Sequence, residues 1–305
     1  MRRITMSIFG DILVYFRKRQ KQTQQEFINE LSQSHEEFSA LNPVTLSRWE
    51  NGTTETSLYR KRLILKYFLE NPLFDSEHYR NIIRDRYTSL YSPLSKVFEH
   101  NYDTLIHNLP QLRIGLEEYE KSSLPQCDDI TRLQHIIDIE VASHAPMYYQ
   151  NSVQQLQKLA SHPESYTLII EKNHQHLGHF IMYKVPSEVS KRIINYEFKE
   201  RDLAYSDLCP PNTPGDYYIH ALYGVNPTMA SILNVETYLY LFDNIKTINN
   251  IVIFSSRKDG VRLAKAYGIG VVKSGEDLHY GINWSGMSSP VEEILFSDTV
   301  LKLVF

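Results

Sequence analysis

The apolar residues of this 305-residue chain change their period near residue 128, and no other feature constrains the fold as much. Before that point apolar side chains recur three and four residues apart, the stripe of an amphipathic helix. After it, short alternating or continuous apolar runs bounded by turn residues mark strands lying between helices. The expected class is α+β: an all-α N-terminal domain over residues 1–72, a helical connector over 73–125 and a mixed α/β domain over 126–305.

In the first domain Ile8, Phe9, Ile12, Leu13 and Phe16 share one helix stripe. Thr23, three residues before Glu26, is a capping-box signature that opens a second helix with Phe27, Ile28 and Leu31 inward. Pro43 suits a first helical position, and the helix it opens runs through Trp49 to a stop at Asn51-Gly52. A helix over 58–69 completes the unit. A helical pattern continues over 75–125, through Tyr79, Ile82, Tyr87, Leu90, Leu94, Phe98, Leu105, Leu109 and Leu112, with the clearest break at 122–125. From 128 onward helices are expected over 128–142 and 152–161, then strands over 166–171 and 179–185 around a polar turn. A strand over 217–225, a helix over 232–245, a strand over 251–254 and a helix over 258–267 follow. Late strands are expected over 270–274 and 294–305.

The net charge of −4 argues against a protein that coats nucleic acid over its whole surface. Residues 1–70 carry 11 Lys/Arg against 8 Asp/Glu, about +3, which leaves about −7 on the remainder. Such a local excess is where phosphates would be neutralised. Cys127 and Cys209 are too few and too far apart for a disulfide framework or a zinc knuckle. The basic start at Arg2-Arg3 is followed by an apolar run that Asp11 interrupts. No apolar stretch reaches roughly 18 residues, so neither a signal peptide nor a membrane span is expected and the cytoplasm is the expected compartment.

Thr23-Gln24-Gln25-Glu26-Phe27, followed by Thr45-Leu46-Ser47-Arg48-Trp49-Glu50-Asn51-Gly52, resembles the Cro/phage-repressor (XRE) class of helix-turn-helix. The resemblance covers about a fifth of the chain. It implies double-stranded DNA as partner, bound by a homodimer whose second helix reads the major groove. Leu46 and Trp49 face inward, leaving Arg48 to meet a guanine edge and Pro43, Val44, Thr45 and Ser47 to meet neighbouring bases. Gln24, Thr53 and Thr54 fall where phosphates are held. Arg17 and Glu50 match a structural ion pair of the family, and Trp49 anchors the helix. The family places about five residues between the last Leu of the second helix and the recognition-helix Thr. Here Leu31 and Thr45 enclose 13, and the extra 33–41 stretch is either a longer helix or a projecting turn.

From 128 the element order resembles the GNAT (GCN5-related N-acetyltransferase) fold. Its most specific pieces are 221–227 (ALYGVNP), similar to the family's fourth strand, and 262–269 (RLAKAYGI), similar to its Tyr-x-x-x-Gly-Phe segment. The family cradles the acetyl-CoA pyrophosphate on a glycine-rich turn at a helix N-terminus. Here 228–234 (TMASILN) has no glycine. The position of the family's tyrosine acid is Ala264, and Tyr267 reads as core. No catalytic residue, cofactor or metal site is therefore expected.

His174, His176 and His179 lack a Cys or carboxylate at ligand spacing and read as a solvated hairpin tip. His220 reads as a satisfied core histidine, and Ser255-Ser256-Arg257-Lys258 as a helix cap. The expected function is a sequence-specific, dimeric DNA-binding transcription regulator, not an enzyme, whose GNAT-like domain senses a small-molecule or acyl-type ligand. The alternative is an active, DNA-tethered N-acetyltransferase using acetyl-CoA.

Overall fold

The computed structural model of the chain describes residues 8–73, 75–85, 96–98, 119–124, 130–143 and 152–304. The chain divides into two compact units, one formed by Met1–Tyr87 with Phe296–Phe305 and the other by Thr88–Leu295.

The first unit is helical: α1 (Ile8–Arg19), α2 (Gln24–Ser34), α3 (Pro43–Glu50), α4 (Leu58–Glu70) and α5 (Ser76–Asp85). Its start signals act as the sequence implies. Thr23 and Glu26 form a reciprocal capping box, Asn42 caps α3 ahead of Pro43, and Ser57 caps α4. Phe16 stacks on Phe68 with ring centroids 3.8 Å apart, at the centre of a core that also holds Phe27, Leu31, Leu46, Trp49 and Leu65. Gly10 lets α1 touch the end of α3: a Cβ there would stand 2.6 Å from the Glu50 carbonyl oxygen. The extra stretch after α2 forms a 3₁₀ turn over Glu36–Phe38, which buries Phe38, and the Ser32 hydroxyl donates to the Phe38 carbonyl. In this unit Arg62 donates to the Phe296 carbonyl and pairs with Asp298 at 3.1 Å.

The second unit carries one seven-stranded sheet. Its strands are β1 (Glu120–Ser122), β2 (Ser165–Lys172), β3 (Gln175–Val185), β4 (Gly215–Gly224), β5 (Ile248–Ser255), β6 (Gly270–Asp277) and β7 (Ile282–Pro290), in the order β1-β2-β3-β4-β5-β7-β6. Neighbours are antiparallel except β4 and β5, which run parallel. The helices are α6 (Ile130–Ser143), α7 (Val153–Ala160), α8 (Ser187–Ile194), α9 (Pro227–Asp243), α10 (Lys258–Ala266) and α11 (Val291–Leu295). On one face Leu133 and Ile136 of α6, Leu156 and Leu159 of α7 and Ile193 of α8 pack on Ile169, Ile181, Tyr183 and Val252 of the sheet. Helix α9, buried on nearly every side as its apolar sequence requires, lies against β3 and β4. Asn173 and His174 take positive φ in the two-residue turn from β2 to β3, the geometry that suits a tight hairpin.

Three expectations differ from the structure. The break placed at 122–125 holds β1, paired with β2, and the buried Leu124, whose amide donates to Thr167 Oγ1. The strand expected over 294–305 is instead α11 and a last helix, α12 (Asp298–Val304), because Ser297 caps Val300 and the apolar side chains fall at helical spacing. Strand β7, rich in Ser and Gly, was not expected; it is held by β5 and β6 on its two sides. The connector positions Leu90, Leu94, Leu105, Leu109 and Leu112, and Cys127, lie outside the described residues. No helix of the described residues is long and apolar enough to cross a membrane.

Candidate functional site

The parallel strands β4 and β5 part company. Their ladder runs from Gly215–Ile248 to Ile219–Ile253 and stops, while β4 continues to Gly224 and β5 to Ser255. At the parting point β4 bulges: Ile181 of β3 faces Ala221 and Met182 faces Ile219, so His220 is the extra residue. Helix α9 starts just past β4 and α10 just past β5, so the gap between the diverging ends of β4 and β5, called the cleft below, lies at the carboxyl ends of the two parallel strands. Open α/β sheets bind ligands at such a place. Gly224 allows the close approach of α9, because a Cβ there would stand 2.7 Å from the Ala230 amide nitrogen.

Leu222 and Tyr223, on the end of β4 that pairs with β3 but not with β5, Ala230 in the first turn of α9, and Leu263 and Tyr267 on and just after α10 pack at this cleft together with Val97 and Phe98. The Tyr267 hydroxyl is buried with no hydrogen-bond partner among the described residues. Burial raises the pKa of Tyr267 and that of Tyr223, keeping both hydroxyls protonated. His220 is buried beside the Tyr183 ring, with centroids 5.3 Å apart.

The histidines of the β2–β3 hairpin depart from the expected solvated tip. His174 is exposed, but His179 is fully buried, with Nε2 2.7 Å from Glu140 Oε1 and Nδ1 2.9 Å from His176 Nε2. The Tyr223 ring stacks against both His176 and His179. Desolvation, then His179, His135 and Arg132, pull the His176 pKa down to about 2, so this ring is neutral. Sequence pattern missed Glu140, which is 39 residues from His179 on another element. Only its place on the inward face of a helix hinted at it. Among the described residues no group of three metal-binding side chains occurs.

Acetyl-CoA, the cofactor of the GNAT resemblance, has two parts to test. Its pantetheine arm, a chain with two amides, suits the edge of β4 that has no β5 partner, next to the Tyr267 hydroxyl, a place where the Val97 and Phe98 side chains lie in this structure. A diphosphate held on bare amides at α9 does not fit. Pro227 has no N–H, the Asn226 side chain accepts from the Met229 amide at 2.9 Å, and the Ala230 amide already bonds the Asn226 carbonyl. At α10 the Ser255 hydroxyl accepts from the Arg257 amide, and Arg257 pairs with Asp259 at 2.6 Å.

The expected DNA-contacting residues lie on the helical unit. Pro43, Val44, Thr45, Ser47 and Arg48 share α3, where Val44 is 62% exposed and Arg48 is also exposed, while Thr53 and Thr54 are exposed just beyond it. Arg17 meets Glu50 through two hydrogen bonds of 2.6 and 3.1 Å, and Trp49 is buried. Gln24, expected at a phosphate, donates its side-chain amide to Glu50 Oε2 at 2.7 Å.

No family model matches the chain, and no curated protein sequence matches it. Solved structures do resemble its C-terminal part. Aminoglycoside 6'-acetyltransferase type Ii is 7% identical, with 57% of this chain and 96% of that one covered and a TM-score of 0.35. An N-acetyltransferase from Staphylococcus aureus Mu50 is 10% identical over 57% and 99%, with a TM-score of 0.38. The Drosophila melanogaster polyamine N-acetyltransferase is 10% identical over 57% and 100%, with a TM-score of 0.37. At these identities the likeness concerns the fold alone. The expectation of a DNA-binding regulator that is not an enzyme is corrected: these similar structures are acetyltransferases, and none supports the Cro/phage-repressor resemblance. The sheet-bearing unit itself is a mixed seven-stranded sheet whose parallel pair, β4 and β5, parts at its carboxyl end.

Proposed function

We propose that this protein is an N-acyltransferase that takes an acyl group from a pantetheine thioester, such as acetyl-CoA, and passes it to an amine. The observation that carries the reading is the separation of β4 from β5 beyond Ile219 and Ile253, with His220 bulged at the parting point. The thioester supplies an electrophilic acyl carbon and a thiol leaving group. The edge of β4 that β5 leaves beyond Ile219 orients the donor by strand-like hydrogen bonds, and the apolar residues around it exclude water. His220 is the base of this reading, taking a proton from the incoming amine; such a group contributes about 10²–10⁴-fold.

The test is thiol release by the full-length protein with acetyl-CoA and a panel of primary amines, including a polyamine, an aminoglycoside and a lysine peptide. Release that needs both substrates, and that falls about 10²-fold or more in His220→Asn, is the expected result. Absence of release with every amine, together with no rise in melting temperature on adding acetyl-CoA or CoA, sinks the reading.

For the helical unit the reading is a tether: α3 contacts DNA through Thr45, Ser47 and Arg48, with Pro43, Val44, Thr53 and Thr54 beside them, in a pair of copies. The exposure of Val44 and Arg48 supports it. Under this reading Arg48→Ala loses retention on DNA at low salt and leaves thiol release unchanged. Equal retention of both proteins rejects the tether without touching the transferase.

A further inference from the structure

Phe98 precedes the first strand of the sheet by more than twenty residues, yet it is 1% exposed and forms a cluster with Ala230 and Leu263. Val97, Leu222, Tyr223 and Tyr267 pack against that cluster. These partners come from the unpaired end of β4, the first turn of α9 and the end of α10, which are the walls of the cleft. The two apolar side chains thus stand where the arm of an acyl donor would lie.

We propose that Val97 and Phe98 plug the donor cleft from within, that an entering pantetheine thioester displaces them, and that the Tyr267 hydroxyl is a contact the donor makes and the plug cannot. The inference rests on the reading that this cleft takes such a donor. Its chemical support is the mismatch between wall and occupant. A phenyl ring and an isopropyl group offer no acceptor, so Tyr267 keeps a buried hydroxyl with no partner among the described residues. A pantetheine arm carries amide carbonyls, a hydroxyl and a sulfur, any of which can accept from it. A leucine or phenylalanine at 267 would suit a permanently apolar core better than a tyrosine does. The β4 segment from Ala221 to Gly224, which has no β5 partner, completes a surface suited to a chain with amides.

A plugged site binds its ligand more weakly by the fraction of molecules that are open. Removing the plug therefore tightens binding without any new contact. The experiment uses the full-length protein, its Phe98→Ala and Tyr267→Phe variants, calorimetry with CoA and acetyl-CoA, and amide hydrogen exchange over residues 96–98. Phe98→Ala is expected to bind CoA about tenfold or more tightly. Tyr267→Phe is expected to bind it several-fold more weakly while the ligand-free protein melts higher, since an unpaired buried hydroxyl has gone. Saturating CoA is expected to speed exchange at 96–98 in the unaltered protein. Equal affinity in Phe98→Ala with unchanged exchange overturns the plug and leaves the donor reading standing. No CoA binding by any of the proteins overturns both. If Phe98→Ala does not fold, exchange in the unaltered protein decides, and protection that persists at saturating CoA overturns the plug.

Discussion

His179 Nε2 lies 2.7 Å from Glu140 Oε1, with the ring fully buried and the carboxylate nearly so. The pair ties α6 to β3. Removing one partner of such a pair leaves the other buried and unmatched, which costs several kcal/mol. Glu140→Ala is expected to lower unfolding stability by about 3 kcal/mol in a urea titration. Glu140→Gln, which keeps an acceptor for the ring, loses less; equal losses in the two variants would count against this account.

His176 sets a pH dependence. Its pKa in the fold, about 2, lies below the ordinary 6.5 because burial opposes the charged ring. Below pH 6.5 the unfolded chain takes up a proton that the folded chain refuses. The stability associated with this ring is therefore present above 6.5 and lost as pH falls towards 2. At pH 5.5 the loss is about 1 kcal/mol from this group. His176→Gln is expected to reduce the difference in unfolding free energy between pH 7.5 and 5.5, measured by urea titration, by that amount, and an unchanged difference would refute the assignment.

Gly224→Ala tests the approach of α9 to β4. The new methyl would stand 2.7 Å from the Ala230 amide nitrogen, so the helix must retreat. A stability loss of about 1–3 kcal/mol is expected. Thiol release should fall with it, because the cleft wall moves. A variant with full activity and an unchanged melting temperature would show that the approach is not tight.

Phe38→Ala probes the extra turn between α2 and α3. Phe38 is buried and Arg60 pairs with Glu37 at 2.7 Å beside it, so the turn is part of the helical core. The expected loss is about 3–4 kcal/mol, measured by thermal unfolding of the full chain. A loss under about 1 kcal/mol would mean that the turn contributes little to the core.

The amino-acid sequence alone determined the local decisions. Thr23 with Glu26, Asn42 before Pro43 and the Asn51-Gly52 stop set helix ends through groups a few residues apart, and the two-residue turn at Asn173-His174 set a hairpin. The order of strands and helices from β2 to β6 was also legible apart from α8, which the sequence reading did not contain, since period-2 and period-3.6 patterns alternate there. What only the tertiary structure decided involves partners distant in sequence. Strand β7 is poor in strand-forming residues and is a strand because β5 and β6 bond both its edges, whereas Asp298–Val304 is helical because Ser297 caps it and its apolar residues fall at helical spacing. Glu140 meets His179, and Phe98 meets Ala230 and Leu263, across separations that no periodicity encodes. Burial and long-range pairing depend on where the chain returns to itself, and a local pattern carries no record of that.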